Sequence, residues 1–227
     1  MKYVLGIQTA ELPNSLALIN NGGKFIKEIQ INKEGHTVEL LRKFTRKICE
    51  KSKVSLNDVK IISVCLGPGS YTGTRGGLAF AKGFCQFSDK QIVGVSAFDV
   101  LERSIKEIDK YKDVIFIQDA RNNRVYYKYR NREDVKVSSI EKVIDEVNSK
   151  TLFIGSGVRE NRNFIEKRLK NNSKFIKDEL NVLSAEKVAY AGLDKYKNES
   201  SIYNENYLYK LEPLYILPPN ITKSKRK

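Results

Sequence analysis

The sequence has few of the residues that build metal centres and disulfide frameworks. Its 227 residues include three cysteines and a single histidine, His36. No two of the cysteines form a C-x-x-C pair. Each of them lies within an apolar segment, at Cys49, Cys65 and Cys85. Structural zinc sites need closely spaced ligands, so this odd and scattered set predicts buried thiols. Because the sequence has a single histidine, it cannot form a metal site that needs two histidine ligands.

Long apolar runs are also lacking. No stretch approaches the roughly 18 apolar residues that a membrane span requires. The short apolar segment at residues 3–7 is typical of a first strand and not of a signal peptide. With 41% hydrophobic and 30% charged residues, the composition predicts a soluble, cytoplasmic globular protein of one large or two smaller domains, with no membrane contact.

Acidic residues are too few to balance the basic ones, and the formal net charge is +14. Residues 1–110 carry +6 and residues 111–222 carry +4, while the last five residues, 223–227, supply the other +4. An excess spread in this way favours a solvated basic surface over a dedicated nucleic-acid site. The tail is the expected point of contact with RNA, if the protein makes one.

The first half of the chain shows a clear order of apolar segments. Three strands come first, with a hairpin-turn signal at Asn20–Gly23 between the second and third, and an amphipathic helix follows. A strand, a helix, a strand and a helix complete this half. The predicted bounds are strands at 2–9, 15–19, 24–31, 61–66 and 91–95, and helices at 34–51, 75–87 and 97–108.

The second half repeats this order. Residues 4–10 and 114–120 are identical at four of seven positions, and strand-like runs follow at 124–130 and 134–137. Helix-like segments then lie at 140–148, 159–169 and 185–195. The repeat predicts two similar α/β domains, each a mixed sheet with a three-strand antiparallel start and flanking helices. The predicted bounds are 1–110 and 111–212, followed by an extended basic tail at 213–227, where Pro213, Pro218 and Pro219 prevent a helix.

The stretch GPGSYTGTR at 67–75 lies between a predicted strand and a predicted helix. Backbone N–H groups at such a turn can hold an anion. The candidate contacts for a nucleotide phosphate are Gly67, Gly69, Ser70, Thr72 and Gly73. The alternative is a tight turn in which Ser70 or Thr72 caps the helix. No Walker-type Gly-Lys-Ser/Thr is present, and the structural turn is slightly favoured.

Within the segment 75–87, small residues alternate with large apolar ones. Gly76, Gly77 and Gly83 lie inside the predicted helix, although glycine there costs about 1 kcal/mol relative to alanine. Such glycines are typical of a helix that another backbone approaches closely. We therefore interpret part of this helix as a partner surface. The alternative is that the helix and its neighbour at 34–51 are fully packed within their own domain.

The motif GPGSYTGTRGGLAFAKG at 67–83 resembles the signature of the TsaB (YeaZ) family, whose usual form is GPGSFTGLRxGxxxAKG. The resemblance covers nearly the whole chain. Supporting segments are IQTA at 7–10, EGHTVELL at 34–41, GVSAFDVL at 94–101, DARNNRVYY at 119–127, IGSG at 154–157 and EPLYI at 212–216.

This resemblance implies two tandem actin-like (ribonuclease H-like) domains and a role in tRNA modification. The resemblance implies a non-catalytic partner of TsaD, the enzyme that threonylcarbamoylates adenosine 37 of tRNAs reading codons that begin with A. It also implies two further proteins: the ATPase TsaE, which joins the complex, and TsaC, which supplies the carbamoyl-adenylate. The implied interface, which also serves a possible homodimer, is formed by two helices. Its candidate residues are His36, Leu40, Lys43, Lys47, Arg75, Gly76, Ala79, Lys82, Gly83 and Gln86.

The chain departs from its catalytic relatives where they hold a metal. Their two histidine ligands align with Ala97 and Leu101, neither of which coordinates a metal. Gln8 replaces the acidic residue usual in actin-like ATPases, and an amide is a poor Mg²⁺ ligand and no general base. Asp119 stays acidic in the second repeat, where a turn or cap role is at least as well supported. His36, near a helix start, is expected to bond locally.

These departures predict that the chain has no catalytic residue, binds no metal and has no cofactor. The one exception considered is ATP or ADP bound at the interface with the partner. tRNA would be contacted indirectly or through the basic tail. Two other functions stay open. One is a stand-alone actin-like ATPase or glycopeptidase-like enzyme, which needs a metal-binding acid or histidine pair. The other is a basic RNA-binding module.

Overall fold

The computed structural model describes residues 2–32 and 37–217, which form two five-stranded sheets with flanking helices. The strands of the first sheet are β1 (Tyr3–Gln8), β2 (Asn14–Asn20), β3 (Phe25–Ile31), β4 (Val59–Cys65) and β5 (Gln91–Val95). Those of the second are β6 (Asp113–Asp119), β7 (Arg124–Tyr129), β8 (Lys136–Ser139), β9 (Thr151–Ile154) and β10 (Ser173–Phe175). The helices are α1 (Thr37–Ser52), α2 (Tyr71–Cys85), α3 (Ala97–Arg103), α4 (Ile140–Asp145), α5 (Ser156–Leu169), α6 (Ala185–Asn198) and α7 (Glu205–Lys210).

The two sheets share one topology. The strand order is β3-β2-β1-β4-β5 in the first sheet and β8-β7-β6-β9-β10 in the second. In each, the first three strands in sequence pair antiparallel, and the remaining two add in parallel on the other side of the first strand. The predicted fold class, a duplicated mixed sheet with an antiparallel start, is therefore confirmed.

Helix α6 follows the second sheet in sequence but packs against the first one, on the face opposite α1 and α2. Its first turn is held there because the Ala185 N–H lies within hydrogen-bond distance of Ser15 Oγ (2.9 Å) and Glu28 Oε1 (2.8 Å). Ser63 Oγ on β4 donates to the Val188 carbonyl at 2.7 Å. The predicted domain bounds, 1–110 and 111–212, place this helix in the second domain and did not anticipate that it crosses back.

Apolar side chains of both halves meet in one core between the sheets. Val4 on β1, Phe98 on α3, Phe116 on β6 and Val188 on α6 are buried in it. A second core lies under α1 and α2, and a third lies under α4 and α5. The two halves are therefore joined by shared apolar packing on the α6 side of the molecule.

Several predicted helix ends were wrong. Helix α2 begins at Tyr71, four residues before the predicted start, because Ser70 caps it. Helix α3 ends at Arg103 and not at Ile108; Glu107 then takes a left-handed conformation, with φ of 63°. Strands β9 and β10 and helix α7 were not predicted individually.

The buried state of the cysteines is confirmed, since Cys49, Cys65 and Cys85 are all buried and unpaired. Within residues 2–32 and 37–217, no helix combines the length and apolar character needed to cross a bilayer. Residues 211–217 form no helix, as Pro213 predicts, and the Leu214 N–H donates to the Leu66 carbonyl at 2.9 Å. His36, Pro218, Pro219 and the basic tail at 223–227 lie outside the described residues.

Candidate functional site

The glycine-rich loop at 67–75 packs against the turn that joins β1 to β2. The Ser70 N–H donates to the Ala10 carbonyl at 2.6 Å, and the Gly73 N–H is 3.2 Å from Ser70 Oγ. A Cβ atom on Gly69 would lie 2.3 Å from Ala10 O, and one on Gly73 would lie 2.0 Å from Thr9 O. These glycines are required because two backbone segments touch there.

These contacts bear on the predicted phosphate cradle. The N–H groups of Ser70 and Gly73 already have acceptors within the protein, and the Gly67 carbonyl accepts from the Ala97 N–H at 2.7 Å. Ser70 is the helix cap, while Thr72 lies exposed in the first turn of α2. The geometry favours the structural turn, and the nucleotide contact at this loop stays a prediction.

A cleft of about 1680 Å³ lies between the two halves, above this turn. It is lined by the β1–β2 turn, the N-terminal ends of α1, α2 and α5, the turn after β6 and residues 214–217. Its charged lining residues are evenly divided: Arg42, Arg121, Arg124, Arg159 and Arg162 against Glu11, Glu39, Asp119, Glu160 and Asp178. Arg162 is itself paired with Glu166 and Asp178. Among the described lining residues, the charges cancel when Glu11 is ionised and leave a net charge of +1 when Glu11 is protonated.

Glu11 reaches across this cleft from the first half to the second. Its carboxylate contacts the hydroxyl of Ser156, the first residue of α5. Burial raises the pKa of Glu11 to about 7, against an ordinary value of 4.5; the Ser156 hydrogen bond opposes that shift, and nearby Asp119 adds to it. Glu11 is therefore a carboxyl group that changes charge near neutral pH.

Gln8 is fully buried, and its amide holds the β1–β2 turn. Its Nε2 donates to the carbonyls of Glu11 (3.0 Å) and Pro13 (3.2 Å). Its Oε1 accepts from the N–H groups of Ala10 (2.6 Å) and Glu11 (3.1 Å). A carboxylate could accept but not donate, so the amide suits this site better than the acid usual in actin-like ATPases.

The positions aligned with a metal site lie in the apolar core. Ala97 and Leu101 have 0% relative exposure and pack between the sheets. Asp99 and Ser96 form a capping box at the start of α3. Within the described part of the chain, no group of three or more His, Cys, Asp or Glu side chains could hold a metal ion.

Helices α1 and α2 lie side by side and present a common face to solvent, which we call the α1/α2 face. Of the predicted interface residues that the structure describes, six are exposed and three are partly exposed: Lys43, Lys47, Arg75, Ala79, Gly83 and Gln86, then Leu40, Gly76 and Lys82. The structure brings all nine to one surface.

The α1/α2 face has small residues in a row, and its predicted interface residues are basic where they are charged, although Glu39 and Glu50 are exposed beside them on α1. Gly76, Ala79 and Gly83 follow one another at helical spacing, and a Cβ atom on Gly83 would meet nothing within 4 Å. A Cβ atom on Gly76, by contrast, would lie 3.3 Å from the Thr37 side chain on α1. Four of the nine residues are lysine or arginine and none is acidic. Among the residues that the structure describes, none therefore requires a glycine at position 83.

Sequence reasoning missed Glu11, Ser156 and Gln118, which meet on the floor of the cleft. One signal was available, because the repeat aligns Gln8 with Gln118. Both glutamines are fully buried at the ends of equivalent strands. Glu11 carries no motif, and only the folded chain shows that it reaches α5.

The chain is similar in sequence to proteins that take part in tRNA threonylcarbamoyladenosine biosynthesis. The family model described as "TsaD: tRNA N6-adenosine threonylcarbamoyltransferase" matches residues 30–201. The chain is 27% identical over 205 residues to the tRNA threonylcarbamoyladenosine biosynthesis protein TsaB of Haemophilus influenzae, covering 82% of this chain and 86% of that protein. It is 26% identical to TsaB of Bacillus subtilis, covering 72% of this chain and 75% of that protein.

Solved structures support the same architecture. YeaZ from Pseudomonas aeruginosa aligns with a TM-score of 0.70 at 18% identity, covering 95% of this chain and all of that one. The activator of 2-hydroxyisocaproyl-CoA dehydratase from Clostridium difficile, with bound ADPNP, aligns with a TM-score of 0.51 at 12% identity, covering 89% of this chain and 98% of that one. At these identities the likeness concerns the fold.

Proposed function

Because the chain belongs to the TsaD family, and within it to the TsaB/YeaZ group of proteins with the actin-like ATPase fold, we propose that it is a non-catalytic subunit in tRNA threonylcarbamoyladenosine biosynthesis. Its relatives support a role in that pathway. The finer proposal is that it pairs with TsaD through the α1/α2 face, with TsaE joining the pair, for modification of adenosine 37 of tRNAs reading codons that begin with A.

The observation that carries this proposal is the α1/α2 face. Gly83 is exposed inside a helix, with open space where its side chain would be. A helix interior glycine costs about 1 kcal/mol relative to alanine, and a second backbone approaching at Gly83 would explain why that cost is kept. Four of the predicted interface residues are basic, while Glu39 and Glu50 are exposed beside them on α1, so a partner surface with charges of both signs would complement the face. A homodimer through the same helices is the alternative occupant when TsaD is absent.

Two features support a subunit without chemistry of its own. Ala97 and Leu101 fill the positions of the histidine ligands in the catalytic relatives, and both are core residues. Gln8 replaces the usual acid and has its donors and acceptors engaged by the β1–β2 turn. ATP or ADP would then bind at the partner interface, and tRNA would be reached through TsaD or the basic tail.

Binding measured by calorimetry or co-purification with TsaD tests the pairing. Ala79→Glu places a charge at the centre of the α1/α2 face, and we expect it to remove detectable binding. Asn163→Glu adds the same charge at an exposed position of α5, and we expect it to bind as the wild type does. Equal binding by all three proteins would refute the assignment of this surface.

A further inference from the structure

The hydroxyl of Ser156 lies between two acceptor oxygens that come from different halves of the molecule. It is 2.5 Å from Gln118 Oε1, at the end of β6, and it contacts Glu11 Oε1 from the β1–β2 turn. The Ser156 N–H also points to Gln118 Oε1, at 3.4 Å, which sets the orientation of that amide. We call these three side chains the Glu11 latch.

A hydroxyl has one proton, and it can donate only one strong hydrogen bond. With Glu11 ionised, only one of the two close oxygen contacts of Ser156 can be a hydrogen bond. With Glu11 protonated, its O–H donates to Ser156 Oγ, and the Ser156 O–H donates to Gln118. The Asp119 N–H, 3.3 Å from Ser156 Oγ, donates to that oxygen and supplies no proton toward Glu11.

The charged groups that face Glu11 act on its protonation from both halves. Asp119 at the end of β6 and Glu160 on α5 disfavour the ionised form, whereas Arg159 on α5 favours it. Burial is the largest influence and raises the pKa of Glu11 to about 7. On the first half, burial raises the pKa of the nearby Cys65 thiol to about 12, so that the thiol stays neutral.

The latch is connected to α2 through the β1–β2 turn. The Ala10 carbonyl, one residue before Glu11, accepts from the N–H of Ser70, which caps α2. Gln8 bonds to both sides of Glu11 within the same turn. Ala10 is also buried in the core that the two halves share, so the residue next to Glu11 packs against both sheets.

We propose that Glu11, Ser156 and Gln118 form a proton-dependent latch. When Glu11 is protonated, it donates to Ser156 and Ser156 donates to Gln118, so that both contacts are hydrogen bonds. When Glu11 is ionised, its carboxylate is the stronger acceptor of the Ser156 proton, and the bond that joins α5 to Gln118 at the end of β6 is lost. The inference concerns the chain by itself and holds with or without a partner protein.

Hydrogen–deuterium exchange of the full chain at pH 6 and pH 8, corrected for intrinsic exchange, tests the latch. In the wild type, we expect amides at 117–120 and 155–159, on either side of the Ser156–Gln118 bond, to exchange at least fivefold faster at pH 8. Glu11→Gln keeps a donor toward Ser156 at every pH, so it should abolish the difference. Ser156→Ala should exchange fast at both values, and Glu141→Gln, at an exposed position of α4, should behave as wild type.

The same change in wild type and Glu11→Gln, or no change in wild type, would overturn the proposal. If Glu11→Gln does not fold, a direct titration of the Glu11 carboxyl group in the wild type still tests the proposal. We expect the Glu11 carboxyl carbon, followed by ¹³C NMR, to titrate close to pH 7. Titration near the ordinary value of 4.5 would equally overturn the latch.

Discussion

Gly73 faces the carbonyl oxygen of Thr9 so closely that a Cβ atom at Gly73 would lie 2.0 Å from it. This contact seats the first turn of α2 on the β1–β2 turn. We expect Gly73→Ala to lower the free energy of unfolding by about 1–3 kcal/mol or more, because neither backbone can move without the other. Urea denaturation measures the change.

Gly83→Ala is the matched control for that substitution. It lies in the same helix, and its side chain meets nothing within 4 Å. We expect it to raise the free energy of unfolding by about 1 kcal/mol, through helix propensity alone. A loss of stability at Gly83 comparable to that at Gly73 would contradict the distinction between the two glycines.

The same Gly83→Ala variant also tests a prediction about the affinity of the chain for TsaD. If TsaD approaches the α1/α2 face closely at Gly83, the added methyl group should weaken binding at least tenfold while the isolated chain becomes more stable. Asn163→Ala on α5 raises helix propensity away from the face and should leave affinity unchanged. Calorimetric titration with TsaD separates the outcomes, and undiminished affinity of Gly83→Ala would remove this residue from the interface.

Gln8→Glu tests whether the amide is structural. The new carboxylate loses both donated bonds, to the Glu11 and Pro13 carbonyls, and brings a charge to a fully buried position. We expect a loss of about 1–3 kcal/mol in the free energy of unfolding, with no ATP hydrolysis gained. Gln30→Glu, exposed on β3, should cost little. An active and equally stable Gln8→Glu protein would show that Gln8 stands in for a catalytic acid.

The raised pKa of Glu11 predicts a pH dependence of stability. Between pH 4.5 and 7 the folded chain binds a proton at Glu11 that the unfolded chain has lost. Stability from this group is therefore complete below pH 4.5 and falls as pH rises to 7, by up to about 3 kcal/mol. Thermal or urea unfolding of wild type and Glu11→Gln from pH 4.5 to 8 isolates it. Parallel curves for the two proteins would contradict the assignment.

Much of the fold could be predicted from the sequence because apolar periodicity and a repeated order of strands were both visible. The Asn20–Gly23 turn and the match of residues 4–10 with 114–120 set the antiparallel start of each sheet. The path of α6 could not be predicted in this way. It depends on tertiary contacts such as Glu28 with Ala185, which no local pattern encodes.

The candidate site was predicted unevenly for a similar reason. Glycines inside the segment 75–87 indicated a partner surface on α2, and the resemblance to the TsaB (YeaZ) family supplied the candidate residues of the α1/α2 face, whose role at an interface stays a prediction. The cleft floor brings together Glu11, Gln118 and Ser156, whose sequence separations reach 145 residues. Glycines at 69 and 73 left both a phosphate cradle and a tight turn open, because a motif shows that backbone is close but not which backbone; the structure shows the contacts with Ala10 and Thr9.

Threonylcarbamoyl transfer to tRNA, followed with labelled threonine in a reconstituted system, tests the central claim most directly. The purified chain should transfer none alone, whether or not ATP and the carbamoyl-adenylate are supplied. With TsaD and TsaE present, transfer should depend on the chain and should be lost with Ala79→Glu but not with Asn163→Glu. Transfer by the chain alone, or full transfer without it, would contradict its role as a non-catalytic subunit.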